Sequence, residues 1–146
     1  MERRNPVTVL LTVLAYIIAT FGVQGTSHFL INADHYSAIT IMRAEPIIPM
    51  GLASMVIQGL IFAYMFPIFN RGSHPVRNAL RFTWAIGAFL ASYIALGEAG
   101  KYAVPSIGSW VAVELSTAAA QFTLFGLFLG VLHKRSVVPN AVIANV

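Results

Sequence analysis

The sequence predicts an all-α protein: a four-transmembrane-helix bundle with both termini in the cytoplasm. Three observations predict this fold: the composition, the spacing of the apolar segments and the positions of the basic residues. Of the 146 residues, 58% are hydrophobic and only 10% are charged, whereas soluble domains carry about 25% charged residues. The mean hydropathy is +0.76. We therefore expect a multi-pass protein surrounded by a lipid bilayer.

Four apolar segments are each long enough to cross that bilayer. A hydrocarbon layer about 30 Å thick requires roughly 20 helical residues. A backbone in lipid must satisfy its own hydrogen bonds, so long apolar segments predict helices. The predicted spans are residues 7–31, 47–69, 76–97 and 109–132, within a single domain of residues 1–135 that is followed by a short, loose tail of residues 136–146.

The basic residues predict the orientation of the bundle. With four spans, both termini and the connection between the second and third spans share one side of the membrane. The opposite side holds only Arg43 and Lys101, so the positive-inside rule places both termini in the cytoplasm. The residues on the basic side are Arg3, Arg4, Arg71, Arg77, Arg81, Lys134 and Arg135. They stand at the ends of apolar segments rather than in a patch, so nucleic acid is not an expected partner despite a net charge of +4.

Several chemistries are excluded by what the chain lacks. It contains no cysteine, which excludes disulfides, iron–sulfur clusters, thiolate zinc sites and cysteine nucleophiles. It also has no P-loop, G-x-S-x-G or HExxH motif. The sequence identifies no cofactor, and we expect a protein that is not an enzyme.

Polar residues within the apolar segments predict a pocket. Glu114 lies inside the fourth span, and ionisable groups at that depth usually face a protein interior or a wet cavity. The polar residues of the first span fall within about 80° of arc, on one helix face, if that helix continues to about Tyr36. Under the predicted topology the pocket opens outward, with two glutamines as its floor. The expected pocket residues are Gln24, His28, Asn32, His35, Gln58, Glu98, Glu114 and Gln121.

Two non-enzymatic interpretations of this pocket are open. In the preferred one, it binds or passes a small solute or cation, because a buried carboxylate beside histidines can exchange protons. In the other, the chain is a structural or accessory membrane subunit whose buried polar residues only fix helix packing. In that case Glu98 pairs with Lys101, and Glu114 is held by Gln24, His28 or Tyr102.

A metal-dependent membrane enzyme is the third interpretation. Imidazole and carboxylate groups are ligands for zinc, iron or manganese. Two histidines seven residues apart lie about 10 Å from each other along a helix, so both can bind one ion only if the helix bends. The candidate ligands are His28, His35, Glu98 and Glu114.

Small residues predict where the helices meet. Gly87, Ala91 and Ala95 recur every fourth residue in the third span, and Gly126 and Gly130 form a GxxxG pattern in the fourth. Such notches permit close packing of helices in lipid. We expect them to serve packing within the chain, with a contact in a homo-oligomer or a larger membrane complex as the alternative.

Four groups of residues give the chain a distinctive layout: His28-Phe29-Leu30-Ile31-Asn32 with His35-Tyr36, Pro46-Ile47-Ile48-Pro49, Gln58-Gly59-Leu60, and residues 93–99 with 110–114. In these groups the chain resembles small four-helix bacterial inner-membrane proteins of domain-of-unknown-function families. This resemblance implies a bacterial inner membrane protein and assigns no catalytic residue. Small multidrug transporters also have four spans and a buried glutamate, but theirs lies in the first helix, where this chain has none.

Overall fold

The structure, a computed structural model, describes residues 5–39, 43, 45–71 and 73–134. These ranges are helical and contain no strand, and four helices are long and apolar enough to cross a membrane. The predicted all-α fold with four helices of membrane-spanning length is therefore confirmed, with boundaries within two residues of those expected. The spans are Pro6–Ile31, Ile48–Phe69, Pro75–Glu98 and Ile107–Lys134. Arg3, Arg4, Arg135 and the predicted tail lie outside the described residues.

Two of the spans combine an α-helix with a π-helical turn. Prolines stand in the first turn of the first three spans, and Asn5 caps the first helix by accepting a hydrogen bond of 2.9 Å from the amide of Val7. The elements are α1 (Pro6–Thr26) with the π-turn Ser27–Ile31, α2 (Ala33–Ser37), α3 (Ile48–Phe69), α4 (Pro75–Ser92) with the π-turn Tyr93–Glu98, and α5 (Ile107–Lys134).

The first helix does not continue to Tyr36, so the assumption of one unbroken helix face is wrong. The amide of Asn32 donates to the carbonyl of Ser27 over 2.8 Å, the five-residue spacing of a π-helix. The Asn32 side chain also donates to the Ser27 hydroxyl over 2.9 Å, and such local bonds compete with regular helix. The chain breaks at Asn32 (φ −114°, ψ 25°) and restarts as α2.

The four long helices follow one another around the bundle. α1 packs against α3 and α5, and α4 packs against α5. We call the two ends of the bundle the Glu114 side and the Lys134 side. α3 and α4 meet toward the Lys134 side, where Phe82 contacts the rings of Phe62, Phe66 and Phe69 at centroid distances of 5.1–6.0 Å. The larger hydrophobic cluster of the described residues therefore extends toward the Lys134 side, and a smaller one of Tyr36, Ile39 and Trp110 lies on the Glu114 side.

Glycines bring α4 and α5 close together. A Cβ atom on Gly126 would lie 2.5 Å from Oγ1 of Thr83, and one on Gly130 would lie 2.5 Å from Cα of Val76. A Cβ atom on Gly87 would collide with the ring of Phe122. These contacts confirm that the small residues serve packing within the chain. The prediction of an oligomer or a larger complex stays a prediction.

Two polar rings near the ends of α5 are buried in the bundle. Trp110 is 6% exposed, and its indole N–H donates to the carbonyl of Ile94 over 3.1 Å. His133 is also 6% exposed, and its ring packs edge-on against Phe66. Each ring therefore has a partner within the bundle, as buried rings with a polar group usually do.

Candidate functional site

A polar cavity of about 300 Å³ lies within the bundle on the Glu114 side. It forms because α3 and α4 are in contact mainly at the other end, so that Ser54 of α3 and Leu90 of α4 face a shared space. The volume is within the range of small-molecule sites. Polar side chains from three helices reach the cavity: Tyr16, Thr20, Gln24, Ser54, Gln58, Glu114 and Gln121.

Half of the residues predicted for the pocket line this cavity. Gln24, Gln58, Glu114 and Gln121 do so. The others, His28, Asn32, His35 and Glu98, are not among its lining residues. The first three of these lie at or beyond the π-turn, where the break of the helix removes them from the face that carries Gln24.

A chain of side-chain hydrogen bonds crosses the cavity floor. The Gln24 amide donates to Oε1 of Gln121 over 2.8 Å, and the Gln121 amide donates to Oγ1 of Thr20 over 2.9 Å. The Tyr16 hydroxyl donates to Oε1 of Gln58, whose amide donates to Ser54 over 3.1 Å. This network links α1 to both α5 and α3 and fixes the direction of each glutamine.

Sequence reasoning missed Tyr16 and Thr20 as members of this network. A signal for them was present, because Tyr16, Thr20 and Gln24 follow one another at intervals of four residues. Positions spaced by four share a helix face, so the polar face of the first span extends toward the N-terminus of α1, opposite to the direction expected.

Glu114 is held by a residue that the sequence did not indicate. Its side chain is only 7% exposed, and Oε1 accepts a hydrogen bond of 2.7 Å from the hydroxyl of Tyr36. The expectation that Gln24, His28 or Tyr102 holds Glu114 is therefore wrong. Tyr36 reaches the carboxylate because the break at Asn32 allows α2 to lie against α5.

The histidines support Tyr36 rather than Glu114. The His28 ring stacks on the Tyr36 ring at a centroid distance of 3.7 Å, and the His35 ring lies edge-on at 5.3 Å. Nδ1 of His35 is 3.4 Å from the Ser109 hydroxyl, while its Nε2 is buried without a hydrogen-bond partner in the described part of the chain. Burial, followed by the hydrogen bond to Glu114, raises the pKa of Tyr36, so the phenol stays a donor.

Glu98 does not form the ion pair expected with Lys101, although both residues are described. The ammonium group of Lys101 donates instead to the hydroxyl of Tyr93 over 2.9 Å and lies 4.8 Å from the centre of that ring. Among the described residues, no three His, Asp or Glu side chains come together in a way that could hold a metal ion. The candidate ligands His28, His35, Glu98 and Glu114 thus do not form a metal centre there.

The cavity offers acceptors for a donor-rich ligand. No described lysine, arginine or histidine forms an ion pair with Glu114, whose hydrogen bond from Tyr36 occupies one of its two oxygens. No described residue donates to Oε1 of Gln24, whose amide nitrogen is already bonded to Gln121. A carboxylate accepts at both oxygens, so the free positions suit hydrogen-bond donors and positive charge.

Comparisons of the chain with protein-family models, with curated proteins and with solved structures find no significant match.

Proposed function

We propose that this chain is a small integral protein of the bacterial inner membrane whose cavity binds a small cation, such as a compact amine. The observation that carries the proposal is Glu114, a buried carboxylate at the edge of a polar cavity with no basic partner in the described residues. Ionisable groups inside membrane spans are costly and mark pathways or binding sites for ions and substrates.

Electrostatics favours a cation over an anion or a neutral solute. An unpaired carboxylate removed from water either takes up a proton or gains a positive partner. At 4 Å, opposite unit charges attract by about 4 kcal/mol at an effective dielectric constant of 20. An ammonium group supplies this charge together with hydrogen-bond donors for Glu114 and Gln24, and the glutamine network forms the floor of the cavity.

The packing on the Lys134 side supports binding over passage. Tyr16, Phe66 and Phe125 are among the most completely buried side chains, and they fill the space that a solute would have to cross. Tyr16 packs against both Phe62 and Phe125 at 4.9 Å. A solute that enters from the Glu114 side therefore meets a closed aromatic core.

The distribution of charge supports an orientation in which the cavity faces outward. Four of the described basic residues, Arg71, Arg77, Arg81 and Lys134, lie on the Lys134 side, whereas Arg43 and Lys101 lie on the other. The positive-inside rule then puts both termini in the cytoplasm. The resemblance to small four-helix bacterial proteins supports the same membrane.

A structural or accessory membrane subunit is the second candidate. It is favoured by polar contacts that tie α1 and its π-turn to α5, such as Gln24 with Gln121 and the Ser27 hydroxyl with that of Thr117 at 3.1 Å. Such contacts fix helix packing without any ligand. In that case the carboxylate of Glu114 serves only to anchor Tyr36.

Calorimetric titration of the purified chain in lipid nanodiscs tests the proposal. Alkali cations and small alkylammonium ions are titrated into the unsubstituted chain, Glu114→Gln and Asp34→Asn. Asp34→Asn is the matched control, because it removes an exposed carboxylate that does not line the cavity. We expect binding to the unsubstituted chain and the control, and at least tenfold weaker binding to Glu114→Gln. Equal affinity of all three chains, or no binding by any, would favour the structural subunit.

A further inference from the structure

A basic cleft lies on the Lys134 side, far from the polar cavity. It has a volume of about 490 Å³ and is lined by His74, Arg77, Arg81 and Lys134. Arg77, Arg81 and Lys134 are exposed. The expectation that the basic residues do not form a patch is therefore wrong at this point, because the close packing of α4 on α5 brings the end of one helix to the beginning of the other.

The positive charge of this cleft has no counterpart in the described chain. The sequence holds five acidic residues. Asp34, Glu45, Glu98 and Glu114 belong to the opposite side, and Glu2 is outside the described residues. The cleft also includes the N-terminus of α4, where the His74 side chain forms no capping hydrogen bond. Helix N-termini favour anions, so the basic residues of the cleft and the N-terminus of α4 both attract negative charge.

An apolar groove lies farther along α4, past the cleft. It has a volume of about 290 Å³, and its lining includes Trp84 and Ala88 of α4 together with Leu115 and Ala119 of α5. Arg77, Arg81, Trp84 and Ala88 follow at intervals of four, three and four residues and so share one helix face. Trp84 is 53% exposed, so the groove is open to the surroundings of the bundle.

The dimensions of this surface match half of a bilayer. Ala88 is eleven positions after Arg77, which corresponds to about 16–17 Å along a helix. Half of the hydrocarbon layer is about 15 Å thick. Orientation by the positive-inside rule requires basic residues on this side, but it does not require them to converge above an apolar groove.

We propose that the cleft and the groove together bind one anionic phospholipid. Its phosphate group lies between Arg77, Arg81 and Lys134, and one acyl chain lies along Trp84 and Ala88. Basic pockets between transmembrane helices bind anionic head groups in this way. The groove shares Ala91, Ala118 and Phe122 with the wall of the Glu114 cavity. None of the basic residues of the cleft lines that cavity, so the two proposals rest on different charged groups.

Quenching of tryptophan fluorescence by brominated lipids tests this site. The chain has two tryptophans. The fluorescence of Trp84→Phe comes from the buried Trp110 alone, and it is subtracted from the fluorescence of the unsubstituted chain. The vesicles consist of phosphatidylcholine with the same small fraction of either brominated phosphatidylglycerol or brominated phosphatidylcholine. We expect the brominated phosphatidylglycerol to bind beside Trp84 at least fivefold more tightly than the brominated phosphatidylcholine. Arg77→Gln/Arg81→Gln should abolish this preference. The double variant Arg43→Gln/Lys101→Gln removes the same charge from the opposite side of the bundle, at residues that do not line the cleft, and should retain the preference.

Each other outcome contradicts the proposal. Equal quenching by the two lipids, or equal loss in both double variants, would mean that the lipid is not recognised by the cleft. Absence of quenching by either lipid would mean that another protein surface covers the groove. Competition by millimolar inorganic phosphate would assign the cleft to a soluble anion. Native mass spectrometry of the unsubstituted chain is a second readout, with retention of phosphatidylglycerol over phosphatidylcholine expected after the same detergent washes.

Discussion

The substitution Gly130→Ala tests the packing of α4 on α5. The new Cβ atom would lie 2.5 Å from Cα of Val76, a backbone atom that can move only with its helix. Overpacking of this kind typically costs about 1–3 kcal/mol, whereas alanine gains up to about 1 kcal/mol over glycine in helix propensity. We therefore expect the free energy of unfolding of Gly130→Ala to fall by about 1–2 kcal/mol.

The matched control for this experiment is Gly22→Ala. Gly22 lies in α1, and a Cβ atom there has nothing within 4 Å, so its stability should be unchanged or higher by up to about 1 kcal/mol. Titration with SDS in mixed micelles, followed by circular dichroism, gives both free energies. If Gly130→Ala is as stable as Gly22→Ala, the close approach of α4 and α5 is refuted.

Three further predictions concern the polar contacts. Gln121→Leu removes the hydrogen bonds to Gln24 and Thr20. Each polar contact in a membrane contributes roughly 0.6 kcal/mol, so the SDS titration should show a free energy of unfolding lower by about 1–2 kcal/mol. An unchanged free energy would contradict the hydrogen-bond network. Tyr36→Phe and Glu114→Leu should show a coupling of about 0.5–2 kcal/mol in a double-mutant cycle, since each removes one partner of the same hydrogen bond. Additive effects would show that the two residues do not interact. Burial and Glu114 raise the pKa of Tyr36, so this phenol should stay protonated as the pH rises through the range in which exposed tyrosines ionise. Ultraviolet titration of the folded chain should therefore give the same phenolate absorbance for the unsubstituted chain and for Tyr36→Phe. A smaller absorbance in Tyr36→Phe would contradict the raised pKa.

The number and the limits of the spans were predictable from the sequence, because hydropathy depends on local composition alone. The contact of α4 with α5 was predictable in part, since Gly126 and Gly130 mark a surface where a backbone can approach. Which residue of α4 meets each glycine depends on how the two helices are aligned. The sequence spacing does not contain that information, so Val76 and Thr83 could not be identified.

The candidate site was predictable where the helices are regular. Gln121 and Glu114 are seven residues apart in an uninterrupted helix, and both line the cavity. The errors that concern His28, His35 and Tyr36 arise at the π-turn Ser27–Ile31. A single extra residue in a turn changes the direction of every later side chain, so His28 and His35 leave the face of Gln24, and Tyr36 takes the position beside Glu114.

The account depends most directly on a cavity that is open on the Glu114 side and prefers cations because of Glu114. The chain has no cysteine, so Ser54→Cys places a single thiol in the cavity and Ser37→Cys places one outside it on the same side. The measurement is the ratio of reaction rates with small cationic and anionic methanethiosulfonates added outside intact cells. We predict that this ratio is at least tenfold higher for Ser54→Cys than for Ser37→Cys, and that Glu114→Gln removes the difference. Equal ratios, or a Ser54→Cys thiol that reacts only from the cytoplasmic side, would contradict the account.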